Sequence, residues 1–145
     1  MIELLTMPKE QLESCFLEYK RALYSYIEAS FSWDENDQKK RFQTRYDPSW
    51  FYRIISGSTE IGFVCFFETD KALHISLLIM YQNFRGKGYG KSVMDMIHER
   101  AEQNSVQVTL SSFKKNTAAI RFYQKLGYVI EGEDDVFVDL VRKCS

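Results

Sequence analysis

The sequence predicts an α/β (α+β) fold in one domain, residues 1–145. Three observations lead to this prediction. The chain of 145 residues has the size of one ordinary domain. Apolar residues make up 45% of it, which is enough for a sizeable core. Strand-like and helix-like apolar patterns follow one another in the order β-α-α-β-β-β-α-β-α-β-β.

The first part of the chain predicts one strand and two helices. Residues 2–6 read as a short strand. From residue 9 to about residue 30, apolar side chains recur at steps of three and four, as on one face of a helix: Leu12, Phe16, Tyr19, Leu23 and Ile27. Ser32, with Glu35 three residues later, has the form of a capping box and predicts a second, polar helix. Asp47-Pro48 ends that helix, because the residue before proline avoids helical backbone angles.

Three strands follow in the middle of the chain. Residues 51–56 and 60–68 are joined by Gly57-Ser58-Thr59, which is a good hairpin turn. Residues 71–80 form the next strand. Its end, residues 75–80, is an almost entirely apolar run, which predicts burial on both faces, as in a central strand.

The last part predicts two helices and three strands. The first helix has an apolar face formed by Val93, Met94, Ile97 and Ala101. Residues 106–110 form a strand and residues 116–126 a helix, after which Gly127 suits a left-handed cap. Residues 128–131 and 136–141 close the chain as a pair of strands.

A glycine-rich turn before the third helix is the strongest functional signal. Residues 85–91 read Arg-Gly-Lys-Gly-Tyr-Gly-Lys. Glycine lets backbone N–H groups approach a phosphate closely, and a helix start adds unpaired N–H donors and a favourable dipole. Arg85, Lys87 and Lys91 add charge that suits a polyanion. The alternative interpretation is an ordinary strand-to-helix turn with surface lysines.

Two better-known phosphate-binding loops do not match this turn. A P-loop needs glycine five residues before Gly90, where Arg85 stands. A dinucleotide-binding fingerprint needs glycine three residues after Gly88, where Lys91 stands. The remaining pattern is Arg-x-x-Gly-x-Gly.

A second motif lies one helix and one strand further along. Residues 116–128 read Asn-Thr-Ala-Ala-Ile-Arg-Phe-Tyr-Gln-Lys-Leu-Gly-Tyr. With both motifs in this order, the chain resembles the GNAT superfamily of N-acetyltransferases over essentially its whole length. The resemblance implies a mixed, largely antiparallel sheet of about seven strands, with a central splayed parallel pair and helices on both faces. It also implies acetyl-coenzyme A as cosubstrate and acetyl transfer to a primary amine, on a small molecule or a protein, by direct attack on the thioester.

The resemblance also implies a cofactor site. A backbone N–H near Met80 would polarise the thioester carbonyl. Asn116 would cap its helix and bind the cofactor arm as well. The cofactor-binding residues are expected in two segments besides Asn116 and Tyr123: Leu78, Ile79 and Met80 along the pantetheine arm, and Arg85, Gly86, Lys87, Gly88, Tyr89, Gly90 and Lys91 around the pyrophosphate.

The catalytic residues implied by the resemblance are Tyr123 and His74. Tyr123 would be the general acid for the leaving sulfur, and its alternative role is that of an aromatic core residue. His74 would be the general base, and its alternative role is that of a half-exposed strand residue. Three carboxylates are alternative bases through water chains: Glu60, Glu68 and Asp70. An amine that binds already neutral would need no single base.

The acceptor site is expected at the first two helices and their connection. Its candidate wall residues are aromatic: Tyr24, Tyr26, Phe31, Trp33, Trp50 and Tyr52. A non-catalytic acyl-coenzyme A sensor on the same fold is the alternative function. A nucleotide-phosphate module is a third interpretation, which the failed P-loop match disfavours.

Composition limits what we expect of the partners, the cellular location and the cysteines of the protein. A net charge of −1 gives no reason to expect nucleic acid as a partner. No run of about 18 apolar residues predicts a membrane span, and the N-terminus lacks the pattern of a secretory signal. Three cysteines without paired spacing predict free thiols rather than disulfides or a metal site. We therefore expect a cytoplasmic protein without a metal, and the resemblance adds the expectation of a homodimer.

Overall fold

The computed structural model describes all 145 residues. The strands and helices are numbered here in chain order, and short 3-10 turns precede α1, β2 and α3. The elements are β1 (Ile2–Thr6), α1 (Leu12–Phe31), α2 (Glu35–Arg45), β2 (Phe51–Ser56), β3 (Thr59–Glu68), β4 (Ala72–Met80), α3 (Tyr89–Gln103), β5 (Gln107–Phe113), α4 (Thr117–Lys125), β6 (Val129–Glu133) and β7 (Phe137–Arg142).

The seven strands form one sheet in the order β1-β2-β3-β4-β5-β7-β6. All neighbours are antiparallel except β4 and β5. This parallel ladder covers only Ala72–Ile75 on β4 and ends at the pair Ile75 and Leu110. Beyond that pair the two strands have no register, so the sheet opens at its centre. The predicted mixed sheet with a splayed parallel pair is confirmed.

A β-bulge in β4 directs its side chains to two different cores. Cys65 of β3 pairs with Leu77 and Phe66 pairs with Ile75, which leaves Ser76 as the extra residue. Before the bulge, Ile75 is buried in the cluster that packs against α3, and beyond it Leu77 is buried in the cluster under α1 and α2. The helices therefore cover both faces of the sheet, as predicted.

The start of α2 differs from the capping-box prediction. Asp34, not Ser32, is the N-cap, and its carboxylate accepts from the Asp37 N–H at 3.0 Å. The predicted cap is wrong because α1 extends to Phe31, which makes Ser32 the last residue of that helix turn, with φ 64°. Glu35 instead forms a salt bridge with Lys20 at 2.8 Å.

The other element boundaries agree closely with the sequence prediction. Gly127 has φ 98° at the end of α4, where the Tyr128 N–H bonds the Tyr123 carbonyl, so the predicted left-handed cap is confirmed. The first predicted helix begins as a 3-10 turn over Lys9–Gln11 before α1. No helix has both the length and the apolar composition needed to cross a membrane.

Candidate active site

A cavity of about 750 Å³ lies where β4 and β5 separate. Strand and helix residues from both sides of the opening line it, together with parts of α1 and α2. The residues from β4, β5 and α4 are His74, Ile75, Ser76, Leu77, Leu78, Ile79, Leu110, Ser111, Ser112, Phe113, Asn116, Ala119 and Tyr123.

The glycine-rich turn lies next to this cavity without lining it. The Arg85 Nε bonds the Met80 carbonyl at 2.9 Å, which holds the turn against the end of β4. On the other side, a Cβ placed on Gly90 would lie 3.6 Å from the Phe122 ring of α4. The turn therefore lies between the end of β4 and α4, and we call the space between these two elements the groove.

The turn presents a row of free backbone donors. The N–H groups from Gly86 to Lys91 bond no acceptor in the protein. Gly86 and Gly88 have φ of 71° and 83°, in the left-handed region that glycine adopts without strain. Tyr89 starts α3, so the last three donors also stand at the positive end of the helix dipole. This row is suited to a phosphate or diphosphate.

The side chains of the turn contribute less than its backbone. The Lys91 ammonium pairs with Asp95 at 3.0 Å, and its side chain is well exposed, which agrees with ordinary surface charge. Lys87 is exposed and forms no salt bridge. Gly90, unlike Gly88, has no positive φ, so the free protein does not need glycine there.

The backbone of β4 beyond the bulge offers hydrogen-bonding groups to the groove. The Tyr81 N–H bonds the Ile61 carbonyl, and hydrogen-bonded pairs alternate along an antiparallel ladder. Ile79 is therefore bonded to β3, while Leu78 and Met80 direct their N–H and C=O groups toward the gap left by β5. Ile79, predicted with them, offers the cavity its side chain only.

Asn116 and Tyr123 both face the cavity from α4. The Asn116 side-chain oxygen accepts from the Ala119 N–H at 3.2 Å, as an N-cap, and its amide N–H donors remain free. Burial alone raises the pKa of Tyr123 to about 12. The Tyr123 hydroxyl is therefore a permanent hydrogen-bond donor at neutral pH.

His74 lines the cavity at the last paired stretch of β4 and β5. Its Nδ1 lies 2.8 Å from the Thr109 hydroxyl. Burial, and then the positive charge of Arg45, hold the pKa of His74 below its usual 6.5. The imidazole is therefore neutral at pH 7 and can accept a proton through the nitrogen that Thr109 does not hold.

The alternative bases do not line the cavity. Glu60 accepts from the Tyr81 hydroxyl and the Gln11 amide, both at 2.6 Å. Glu68 pairs with Arg100 and accepts from Asn104 at 2.7 Å. Asp70 is exposed at the turn before β4. His74 is thus the predicted base that reaches the cavity.

Only part of the predicted aromatic wall is present. Phe31 and Trp50 line the cavity. Tyr26 stacks on Phe113 at 5.4 Å beside it. Tyr52 is wrongly predicted, because it stacks on Phe66 in the core on the opposite face. The two remaining rings, Tyr24 and Trp33, contact each other outside the cavity, 5.3 Å apart.

Sequence reasoning missed the polar face of α2. Gln38, Arg41 and Arg45 line the cavity at helical spacing. Their spacing was a usable signal, but α2 is polar throughout, so no face stands out. It also missed Ser111, whose hydroxyl donates to Asp139 at 2.6 Å.

The comparisons with known proteins agree with this geometry. The model of the acetyltransferase (GNAT) family matches residues 12–128. The chain belongs to the GNAT acetyltransferase family. The matched region includes both sequence motifs and the strands β4 and β5, which separate at the cavity. No curated protein sequence matches the chain.

Solved GNAT structures share the fold at low sequence identity. The PaiA N-acetyltransferase from Thermoplasma acidophilum, in complex with coenzyme A, is 18% identical with a TM-score of 0.73 and 99% coverage of both chains. The ribosomal-protein-S18-alanine N-acetyltransferase from Escherichia coli is 15% identical with a TM-score of 0.70, covering 100% of this chain and 95% of its own. Arabidopsis thaliana Naa50, bound to the bisubstrate analogue CoA-Ac-MVNAL, is 14% identical with a TM-score of 0.68 and 98% coverage of both.

Proposed function

We propose that this protein is an N-acetyltransferase that moves the acetyl group of acetyl-coenzyme A to a primary amine by direct attack on the thioester. The row of free N–H groups from Gly86 to Lys91 carries this proposal. It fits the diphosphate of coenzyme A in charge and in hydrogen-bonding capacity. The cosubstrate supplies an activated acetyl group, and the residues of the chain orient it.

The main chain of β4 is suited to the pantetheine arm. Leu78 presents a free N–H and C=O to the gap, as a strand edge does to an added strand. Met80 presents a free N–H, while its carbonyl accepts from the Arg85 Nε. We propose that the Met80 N–H donates a hydrogen bond to the acetyl carbonyl and so polarises it. Asn116 adds free amide donors from the opposite side of the groove.

Tyr123 is proposed to assist the leaving sulfur. Its pKa of about 12 lies above that of a thiol, which is about 8.5 for cysteine. Complete proton transfer to the thiolate is therefore uphill, and the hydroxyl acts by donating a hydrogen bond as the carbon–sulfur bond breaks. A neutral donor in an apolar setting is effective for this purpose.

His74 is proposed to take the proton that the amine loses. Because its pKa is lowered, the neutral imidazole persists throughout the neutral pH range. Turnover should fall as the pH drops through the lowered pKa of His74, below 6.5, where both the imidazole and the amine hold protons.

The cysteines support direct attack rather than an acyl-enzyme. Burial raises the pKa of both Cys15 and Cys65 to about 12. A nucleophilic cysteine needs a thiolate, which such a pKa suppresses. Neither residue lines the cavity.

The test is release of free thiol from acetyl-coenzyme A in the presence of a panel of primary amines. We expect turnover with at least one class of amine and a matching mass increase of the amine by one acetyl group. Binding of coenzyme A without turnover on any amine would instead identify a sensor module.

Tyr123→Phe tests the proposed role of the hydroxyl. We expect kcat to fall by about tenfold to a hundredfold, while the KM for acetyl-coenzyme A stays the same, since the group acts mainly as charge develops on sulfur. Tyr24→Phe is the matched control, because that side chain is 43% exposed and does not line the cavity. An unchanged kcat in Tyr123→Phe would remove the residue from the reaction.

A further inference from the structure

Gln38 is a buried polar side chain without a partner in the protein. It is 8% exposed, and only His98 among the other polar residues is as buried. His98 bonds the Tyr128 hydroxyl at 2.8 Å, whereas the Gln38 amide makes no hydrogen bond. No fully enclosed side-chain nitrogen or oxygen lacks a partner, so the Gln38 amide keeps its small exposure. Since Gln38 lines the cavity, its amide is free to bind what enters there.

The same face of α2 brings positive charge to the cavity. Asp37, Arg41 and Arg45 are the charged residues that line it. Asp37 is neutralised by the Arg41 guanidinium at 2.8 Å. Arg45 forms no salt bridge, so this wall carries one unbalanced positive charge. Its field reaches the interior, because it contributes to the lowered pKa of His74.

This charge is unusual for a site that would receive an amine. A free amine is mostly protonated at neutral pH. An acceptor with two or three amino groups would therefore carry additional ammonium groups, which a positive wall without an unpaired carboxylate repels. A carboxylate on the acceptor would reverse this, because it can accept from the Gln38 amide and from the Arg45 guanidinium.

We propose that the face of α2 formed by Gln38 and Arg45 recognises a carboxylate on the acceptor amine, so that the substrate is an amino acid rather than a polyamine. This inference rests on the proposed N-acetyltransferase function. Gln38 donates an amide N–H and Arg45 one or two guanidinium N–H groups, while the amine points toward His74.

An aromatic bridge favours a small acceptor over a peptide. Phe31 of α1 stacks on Phe137 of β7 at 6.3 Å, and Phe137 contacts Phe113 of β5 at 4.7 Å. All three rings line the cavity. They join α1 to the ends of β5 and β7 on one side of the cavity, where an extended chain would have to separate them.

The test compares matched acceptors in the thiol-release assay. Each amino acid is paired with the amine that remains after its carboxyl group is removed, such as tyrosine with tyramine and lysine with cadaverine. Short peptides with acidic or neutral residues form a third arm. We expect kcat/KM at least tenfold higher for the amino acid of a pair. Equal or better use of the decarboxylated amine, or a preference for the peptides, would overturn the inference while leaving the proposed function intact.

Two substitutions locate the recognition on α2. Gln38→Leu and Arg45→Gln should each raise the KM for the amino acid about tenfold, leave the KM for acetyl-coenzyme A unchanged, and reduce the discrimination within each pair. Lys40→Gln removes the same charge from an exposed position of α2 that does not line the cavity, and should change neither value. Undiminished discrimination in both cavity variants would contradict the assignment. Absence of turnover with every acceptor would overturn the proposed function and this inference together.

Discussion

Gly86 and Gly88 place the free donors of the turn by their backbone angles. At φ of 71° and 83°, both lie where a residue with a Cβ is strained. A Cβ on Gly88 would meet no atom within 4 Å, so sterics in the free protein do not explain the glycine. The left-handed angle does explain it, because alternating right- and left-handed backbone angles let successive N–H groups form an anion-binding concavity.

Gly88→Val should therefore impair ligand binding more than folding. We expect about 1–2 kcal/mol of lost stability from backbone strain, and at least tenfold weaker binding of coenzyme A, because the N–H groups around residue 88 lose their common direction. Isothermal titration calorimetry measures the affinity, and urea unfolding measures the stability.

Gly57→Val is the matched control for this substitution. Gly57 has φ 64° and also has no atom within 4 Å of an added Cβ, but it lies in the β2–β3 turn. It should lose similar stability and keep its affinity for coenzyme A. Equal affinities in the two variants would show that the turn at residue 88 does not bind the cosubstrate.

Residues that the family resemblance identifies were predictable, and residues outside the resemblance were not. Asn116, Tyr123 and His74 were expected at the site, and all three line the cavity. Gln38 was not expected, because an amide in a helix with little apolar periodicity looks like surface. Its burial comes from packing of α2 against the sheet, which depends on contacts between distant parts of the chain.

At the scale of elements, one residue in β4, Ser76, determines which face of the sheet each later side chain of the strand occupies. The bulge at Ser76 reverses the facing of the side chains, so that Leu77 and Ile79 pack under α1 and α2 while Leu78 and Met80 pack toward α3. The order and type of the elements followed from apolar periodicity. The bulge did not, because the run of apolar residues in β4 is compatible with either facing.

Amide hydrogen exchange should detect the two classes of N–H in β4. In the free protein, the amides of Leu78 and Met80 should exchange quickly, and that of Ile79 slowly, since Ile79 is bonded to β3. Saturating coenzyme A should slow exchange at Leu78 and Met80 by at least tenfold. The measurement is residue-resolved exchange by NMR.

Ile79 serves as the internal reference in that experiment, because its hydrogen bond to β3 does not depend on the ligand. Protection that rises at Ile79 and not at its two neighbours would contradict the register-based assignment of the groove.

At the scale of the whole molecule, the sheet has two halves joined by a short ladder. The strands β1 to β4 and β5 to β7 meet only where Ala72–Ile75 pairs with Gln107–Leu110. Tyr128, directly before β6 in the second half, is tied to α3 by its hydrogen bond to His98. This buried pair therefore links α3 to the segment that leads into β6.

The His98–Tyr128 pair should make the stability of the whole fold depend on pH. Burial, and then the charge of Arg142, lower the pKa of His98 to about 4, while Asp95 and Glu102 oppose the shift. In the unfolded chain the pKa of a histidine is about 6.5. The unfolded state thus binds the proton more tightly than the folded state. The contribution of His98 to the free energy of unfolding is fully present above pH 6.5 and falls as the pH drops toward 4. Between pH 7 and pH 5 we expect a loss of about 2 kcal/mol.

Urea unfolding at pH 7, 6 and 5 measures this loss, and a double variant isolates its origin. His98→Leu with Tyr128→Phe removes both polar partners together, so that neither buried group is left without a hydrogen bond. Carboxylates with lowered pKa values, such as Glu102 and Asp134, remain in both proteins and contribute equally. The double variant should therefore lose about 2 kcal/mol less than the parent over this range. A parallel decline in the two proteins would place the acid sensitivity of the fold elsewhere than in His98.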